Sequence, residues 1–130
     1  MTAAEPQTSR KRILLAEDDD SMRGFLEAAL QRAGYDVTSC ANGKDAYDLV
    51  KPQEYSLLLT DIVMPLMDGI ELARKASEID PDLKIIFITG FAAVTLNNEQ
   101  APLKESRVLS KPFHLRDLVG EVERLLAKAA

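Results

Sequence analysis

With 130 residues and a formal net charge of −5, the chain reads as one acidic domain, and its 46% hydrophobic content suits a packed core, not a disordered chain. That charge, with a sequence pI near 4.9, argues against a surface for nucleic acid or anionic membrane, and no apolar run approaches the roughly 18–20 residues that span a bilayer. Cys40 is the single cysteine, which leaves no intrachain disulfide, too few thiols for a structural zinc site, and the expectation of a reduced core thiol.

Residues 1–11 are polar and aperiodic, so they read as a flexible tail and not as a secretory signal, and a cytoplasmic protein is expected. From Arg12 the pattern alternates between strand and helix. Residues 12–17 are near-continuously apolar, as in a strand buried on both faces. Residues 21–33 carry Met22, Phe25, Leu26, Ala29 and Leu30 at helical spacing, and Gly34 stops the helix. A short strand over 35–39, the Asn42-Gly43 turn and a helix over 44–50 closed by Pro52 follow. A third strand covers 56–60, a helix covers 69–78, and a fourth strand covers 84–89. A weak helix is expected over 92–98, limited by Asn97-Asn98 and Pro102. A fifth strand covers 107–109, and an amphipathic helix covers 115–128.

Strands alternating with helices in five βα units predict an α/β fold with a parallel sheet covered by helices on both faces. Right-handed crossovers leave few topologies. The order 2-1-3-4-5 makes strands one, three, four and five neighbours, with a crevice beside strands one and three. That crevice would collect the polar residues on which the apolar runs end: Glu17-Asp18, Asp61, Thr89-Gly90 and Lys111.

These residue types suit phosphoryl transfer. Two carboxylates about 4 Å apart repel by roughly 4 kcal/mol at an effective dielectric near 20. Glu17, Asp18 and Asp61 together therefore call for a cation or a proton. Hard oxygen donors without His or Cys select a magnesium-like ion. Asp61 stands alone after its strand and is assigned as the nucleophile that accepts the phosphoryl group. Lys111 neutralises one phosphoryl oxygen as a point charge, and the Thr89 hydroxyl bonds another.

Each assignment has a plainer rival. Asp18 alone reads equally well as a loop or capping residue, Thr89 as a strand-end threonine and Lys111 as a surface lysine. Asp19 and Asp20 read as solvated or capping residues, Asp68-Gly69 as turn and cap chemistry, and His114 as a cap or surface residue. The joint placement of all four strand ends is what favours a site.

Glu17-Asp18, Asp61 with Met64-Pro65, Met67-Asp68-Gly69, Thr89-Gly90 and Lys111-Pro112-Phe113 resemble the receiver domain of two-component response regulators. The resemblance covers residues 12–128. It implies a flavodoxin-like (βα)5 receiver. It implies phosphorylation of Asp61 by a histidine kinase or histidine phosphotransferase, with Mg2+ held by Glu17, Asp18, Asp61 and the Val63 backbone carbonyl. Thr89 and Lys111 match the family's phosphate-sensing hydroxyl and lysine. Two positions depart from the pattern: Val108 stands where the family usually has an aromatic switch residue, and Glu17 replaces a more usual Asp.

Because the chain ends just after its last helix, a stand-alone receiver without an output domain is expected. Residues 13–23 and 109–118 are similar to stand-alone alphaproteobacterial receivers that act as cell-cycle adaptors. That similarity implies the ClpX unfoldase of the ClpXP protease as a partner, engaged by the unphosphorylated form. A phosphate shuttle or sink between histidine proteins is the alternative. A phosphatase acting through an aspartyl phosphate is disfavoured. Such an enzyme usually carries an acid two residues after the nucleophile, and Val63 stands there.

Overall fold

The computed structural model describes residues 11–90 and 106–127. The tail expected over 1–11, apart from Lys11, and the helix expected over 92–98 lie outside those residues.

Five strands, β1 (Arg12–Ala16), β2 (Asp36–Cys40), β3 (Leu57–Asp61), β4 (Lys84–Thr89) and β5 (Ser106–Ser110), form one parallel sheet. Its order is β2-β1-β3-β4-β5, the one expected from the convergence of the polar strand ends. Among the described residues four helices accompany it: α1 (Asp20–Arg32), α2 (Gly43–Val50), α3 (Gly69–Ile79) and α4 (Leu115–Ala127).

The two-residue period of the central strands divides the core in two. Leu14, Ala16, Leu58, Ile85 and Phe87 point to one face and pack with Ala46 and Val50 of α2 and Leu72, Ala73 and Ala76 of α3. Ile13, Leu15, Leu57, Leu59, Ile86 and Ile88 point to the other and meet Leu26 and Leu30 of α1 and Leu118, Val122, Leu125 and Leu126 of α4. Burying each Leu or Ile side chain is worth about 1.5–3 kcal/mol, so the strand bodies supply most of the cohesion.

Side chains start the helices. Asp19 accepts from the Met22 amide at 2.9 Å, Asn42 from Asp45 at 2.8 Å and Asp68 from Glu71 at 2.8 Å. Each satisfies an amide that the first turn leaves without an intrahelical partner. Asp19 and Asp68 thus have the capping roles that their sequence context suggests. At the other end of α1, Gly34 adopts φ +105. Tyr35 donates its amide to Leu30 O at 3.2 Å and Gly34 donates to Gln31 O at 3.0 Å, a Schellman closure that turns the chain back into β2.

Small differences from the sequence reading matter at the strand ends. Asp61 is the last residue of β3, opposite Ile88 of β4, and not a loop residue beyond the strand. Ladder pairing, not the polarity of the side chain, decides where the strand stops. His114 is exposed, and its carbonyl accepts from the amides of Asp117 and Leu118 as α4 begins. Cys40 is buried and free, and burial pushes its thiol up to about 11.

Candidate functional site

The sheet order sets the C-terminal ends of β1, β3, β4 and β5 side by side. Glu17 follows β1 and is fully buried, Asp61 closes β3 at 7% exposure, and Thr89 closes β4 at 1%. Asp18 is exposed at the rim. One carboxylate oxygen from each of Glu17, Asp18 and Asp61 falls within 4.8 Å of the others. The three predicted acids are therefore brought together. Their all-oxygen donor set, closely spaced and partly desolvated, fits a hard divalent cation such as Mg2+.

Lys111, just past β5, reaches into the same cluster. Its Nζ donates to Asp61 Oδ2 at 3.3 Å and to Glu17 Oε1 at 3.4 Å. Lys111 is drawn there by its backbone as well, since its amide donates to Thr89 O at 2.7 Å. Burial works to lower the Lys111 pKa, but the charges of Asp61 and Glu17 and their hydrogen bonds outweigh it and the value is raised. The lysine is held as a cation.

Glu17 shows the strain of the arrangement. Burial pushes its carboxyl from the ordinary 4.5 up to about 7. The Asp19 amide, donating to Oε2 at 3.1 Å, opposes the shift; Asp61's charge adds to it and Lys111's charge offsets part of it. The backbone of Glu17 is fixed on both sides: its amide donates to Cys40 O at 3.0 Å and its carbonyl accepts from Arg23 Nη1 at 2.9 Å.

Asp61 is also positioned by its neighbours. The Thr60 hydroxyl, fully buried beneath it, donates to Asp61 O at 2.9 Å. A Cβ on Gly69 would run into that same carbonyl oxygen, so only glycine lets the start of α3 approach so closely. The Gly69 amide donates to Ile62 O at 2.8 Å and closes the β3–α3 loop. Within that loop Leu66 takes φ 73, a conformation uncommon for a leucine, and the Met67 amide donates to Pro65 O at 2.8 Å. Met64 is buried and Met67 packs against the core. Val63 stands exposed at the rim.

Thr60, Gly69 and Arg23 were not singled out for the site from the sequence. The signal for Arg23 was present: the first basic residue after the acid run 17–20, one turn into the helix. For Thr60 there was none, because its contribution depends on burial.

This fold and site define a receiver. The chain belongs to the response regulator receiver family: the family profile described as response regulator receiver domain matches residues 13–123. Among curated relatives, the response regulator receiver protein CpdR of Brucella abortus (strain 2308) is 65% identical over 119 residues, covering 92% of this chain and 99% of that protein. Among solved structures, a response regulator receiver protein from Sinorhizobium medicae WSM419 superposes with a TM-score of 0.84 at 34% identity, covering 92% of this chain and 97% of that one. The response regulator protein TrrA from Thermotoga maritima, solved in complex with Mg2+ and BeF, has a TM-score of 0.80 at 29% identity, covering 88% of this chain and 98% of that one. Among the described residues no helix is long and apolar enough to cross a membrane.

Proposed function

We propose that this chain is a single-domain, cytoplasmic response regulator that accepts a phosphoryl group on Asp61 and acts by binding a partner protein. The observation that carries this reading is the meeting of Glu17, Asp18 and Asp61 within 4.8 Å, with Lys111 donating to two of them. In this reading Glu17, Asp18, Asp61 and the Val63 backbone carbonyl would hold Mg2+, which would supply neutralising charge for the acids and for the incoming phosphoryl oxygens.

The chain's own groups do the rest by positioning and electrostatics. An Asp61 carboxylate oxygen attacks the phosphorus of a phosphohistidine on a histidine kinase or histidine phosphotransferase. A P–O bond forms, the P–N bond breaks, and the imidazole nitrogen keeps the electron pair. Lys111, already 3.3 Å from Asp61 Oδ2, stays close enough to pair with one phosphoryl oxygen. The Thr89 hydroxyl, on the neighbouring strand end, donates to another. Val63 offers no general acid at the second position after Asp61, which fits slow loss of the phosphoryl group and no multiple turnover.

Identity of 65% with CpdR supports a stand-alone receiver. The adaptor resemblance names the partner: the unphosphorylated chain engages the ClpX unfoldase of ClpXP, and phosphorylation releases it. Incubation with acetyl phosphate and Mg2+ is expected to add one phosphoryl mass that maps to Asp61 and is absent from Asp61→Asn. Immobilised ClpX is expected to retain Asp61→Ala protein and to lose the phosphorylated parent. No mass change, or addition elsewhere, defeats the acceptor assignment. Equal capture of both forms defeats the adaptor role, and rapid return of phosphate to a phosphotransferase without effector binding favours a shuttle.

A further inference from the structure

Two cations touch the acid cluster, and they touch it differently. Lys111 Nζ sits on the carboxylate oxygens themselves, Glu17 Oε1 and Asp61 Oδ2. Arg23 does not use those oxygens. Its Nη1 donates to the Glu17 backbone carbonyl at 2.9 Å and its Nη2 to the exposed Asp20 carboxylate at 2.6 Å. One guanidinium thus links Glu17, just past β1, to Asp20 at the start of α1, across the short segment that carries Glu17 and Asp18. Its rigid fork suits two partners at once.

That segment needs holding. Glu17 and Asp18 are drawn toward each other and toward Asp61 against mutual repulsion, and a loop relaxes repulsion by moving its backbone. The tether at Glu17 O resists that movement while leaving the carboxylate oxygens available. We infer that Arg23 is a positioning residue for the divalent cation, one that strengthens metal binding although it carries the same sign of charge. This inference rests on the metal reading proposed above.

The sign of the effect separates the explanations. If Arg23 acted only as a nearby positive charge, its removal would tighten Mg2+ binding. If it positions the ligands, its removal loosens binding, in the range of about tenfold seen when groups that orient metal ligands are lost. MgCl2 titrations at constant ionic strength, followed by amide NMR shifts of Asp18 and Asp61, give the dissociation constant. The thermal midpoint of metal-free protein is measured alongside. Arg23→Met is expected to weaken Mg2+ about tenfold. Arg23→Lys, which keeps the charge and loses the fork, is expected to weaken it several-fold. Tighter binding in Arg23→Met with no change in Arg23→Lys makes the residue a mere charge and overturns the inference. An unchanged dissociation constant with a lowered midpoint makes it merely structural and overturns it too. A parent protein that shows no Mg2+ response at all overturns the metal reading itself, and this inference with it.

Discussion

β1 and β3 lie side by side, and their bodies and their ends solve opposite problems. Ile13, Leu14, Leu15 and Ala16 of β1 and Leu57, Leu58 and Leu59 of β3 are fully buried, and burial is what makes them stabilising. Glu17 is buried just as completely and Asp61 nearly so, yet burial of a carboxylate is unfavourable unless it is paired. The same sheet therefore spends cohesion from the strand bodies to hold charges at the strand ends. The acid cluster is thus a place where the fold is held under electrostatic load, relieved in part by Lys111.

The largest effect is expected at Asp61. Asp61→Asn is expected to abolish phosphoryl incorporation, read by intact mass, while the thermal midpoint of the metal-free protein rises, because one of three repelling charges is gone. A lowered midpoint would show that the cluster is not under load. In a strand body the expected sign reverses: Leu58→Ala, which opens a cavity between β3 and α3, is expected to cost about 2–5 kcal/mol in denaturant unfolding. Between the two regions lies Gly69. Gly69→Ala drives a Cβ toward the Asp61 carbonyl and is expected to cost about 1–3 kcal/mol, and to slow phosphorylation as well if the contact positions the acceptor.

A pH series sharpens the electrostatic side. Glu17 has a folded pKa raised from 4.5 to about 7, chiefly by burial. The folded state therefore holds its proton more tightly than the unfolded state. The stability this contributes is fully present below about 4.5 and is lost as pH rises through about 7. Metal-free protein is expected to show a falling contribution across that window in pH-dependent melting, flattened in Glu17→Gln. Mg2+ affinity is expected to rise across the same window, since a carboxylate binds metal only after losing its proton. The smallest expected effect is at a helix start: Asp68→Ala removes the cap of α3, costs about 1 kcal/mol, and leaves the Asp61 carboxylate contacts in place.

Much of this was legible in the chain because it rests on local rules. The run Ile85 to Ile88 reads as a doubly buried strand, and β4 runs over Lys84–Thr89 as expected. Asp19 and Asp68 read as caps because short acids before an apolar helical period cap helices. The sheet order followed from handedness and from where the polar residues needed to meet. Other features were not legible. Lys111 and Glu17 are 94 residues apart, and no local pattern says that they touch. That the Gly69 position forbids a Cβ follows from the approach of α3 to the Asp61 carbonyl, which only packing defines. For Arg23 the sequence shows only the first cation after the acid run, and its partner, the Glu17 carbonyl, is defined by the fold.

Which chemistry each strand end carries is written in the chain order: acid pair, acid, hydroxyl and lysine, each following an apolar run that must be buried. The tertiary structure decided how those groups act on one another. Desolvation and charge coupling depend on distance and surroundings, not on order along the chain. Only when parallel pairing sets the strand ends side by side do three carboxylates fall within 4.8 Å, with Glu17 raised to about 7 and Lys111 held as the cation between Glu17 and Asp61.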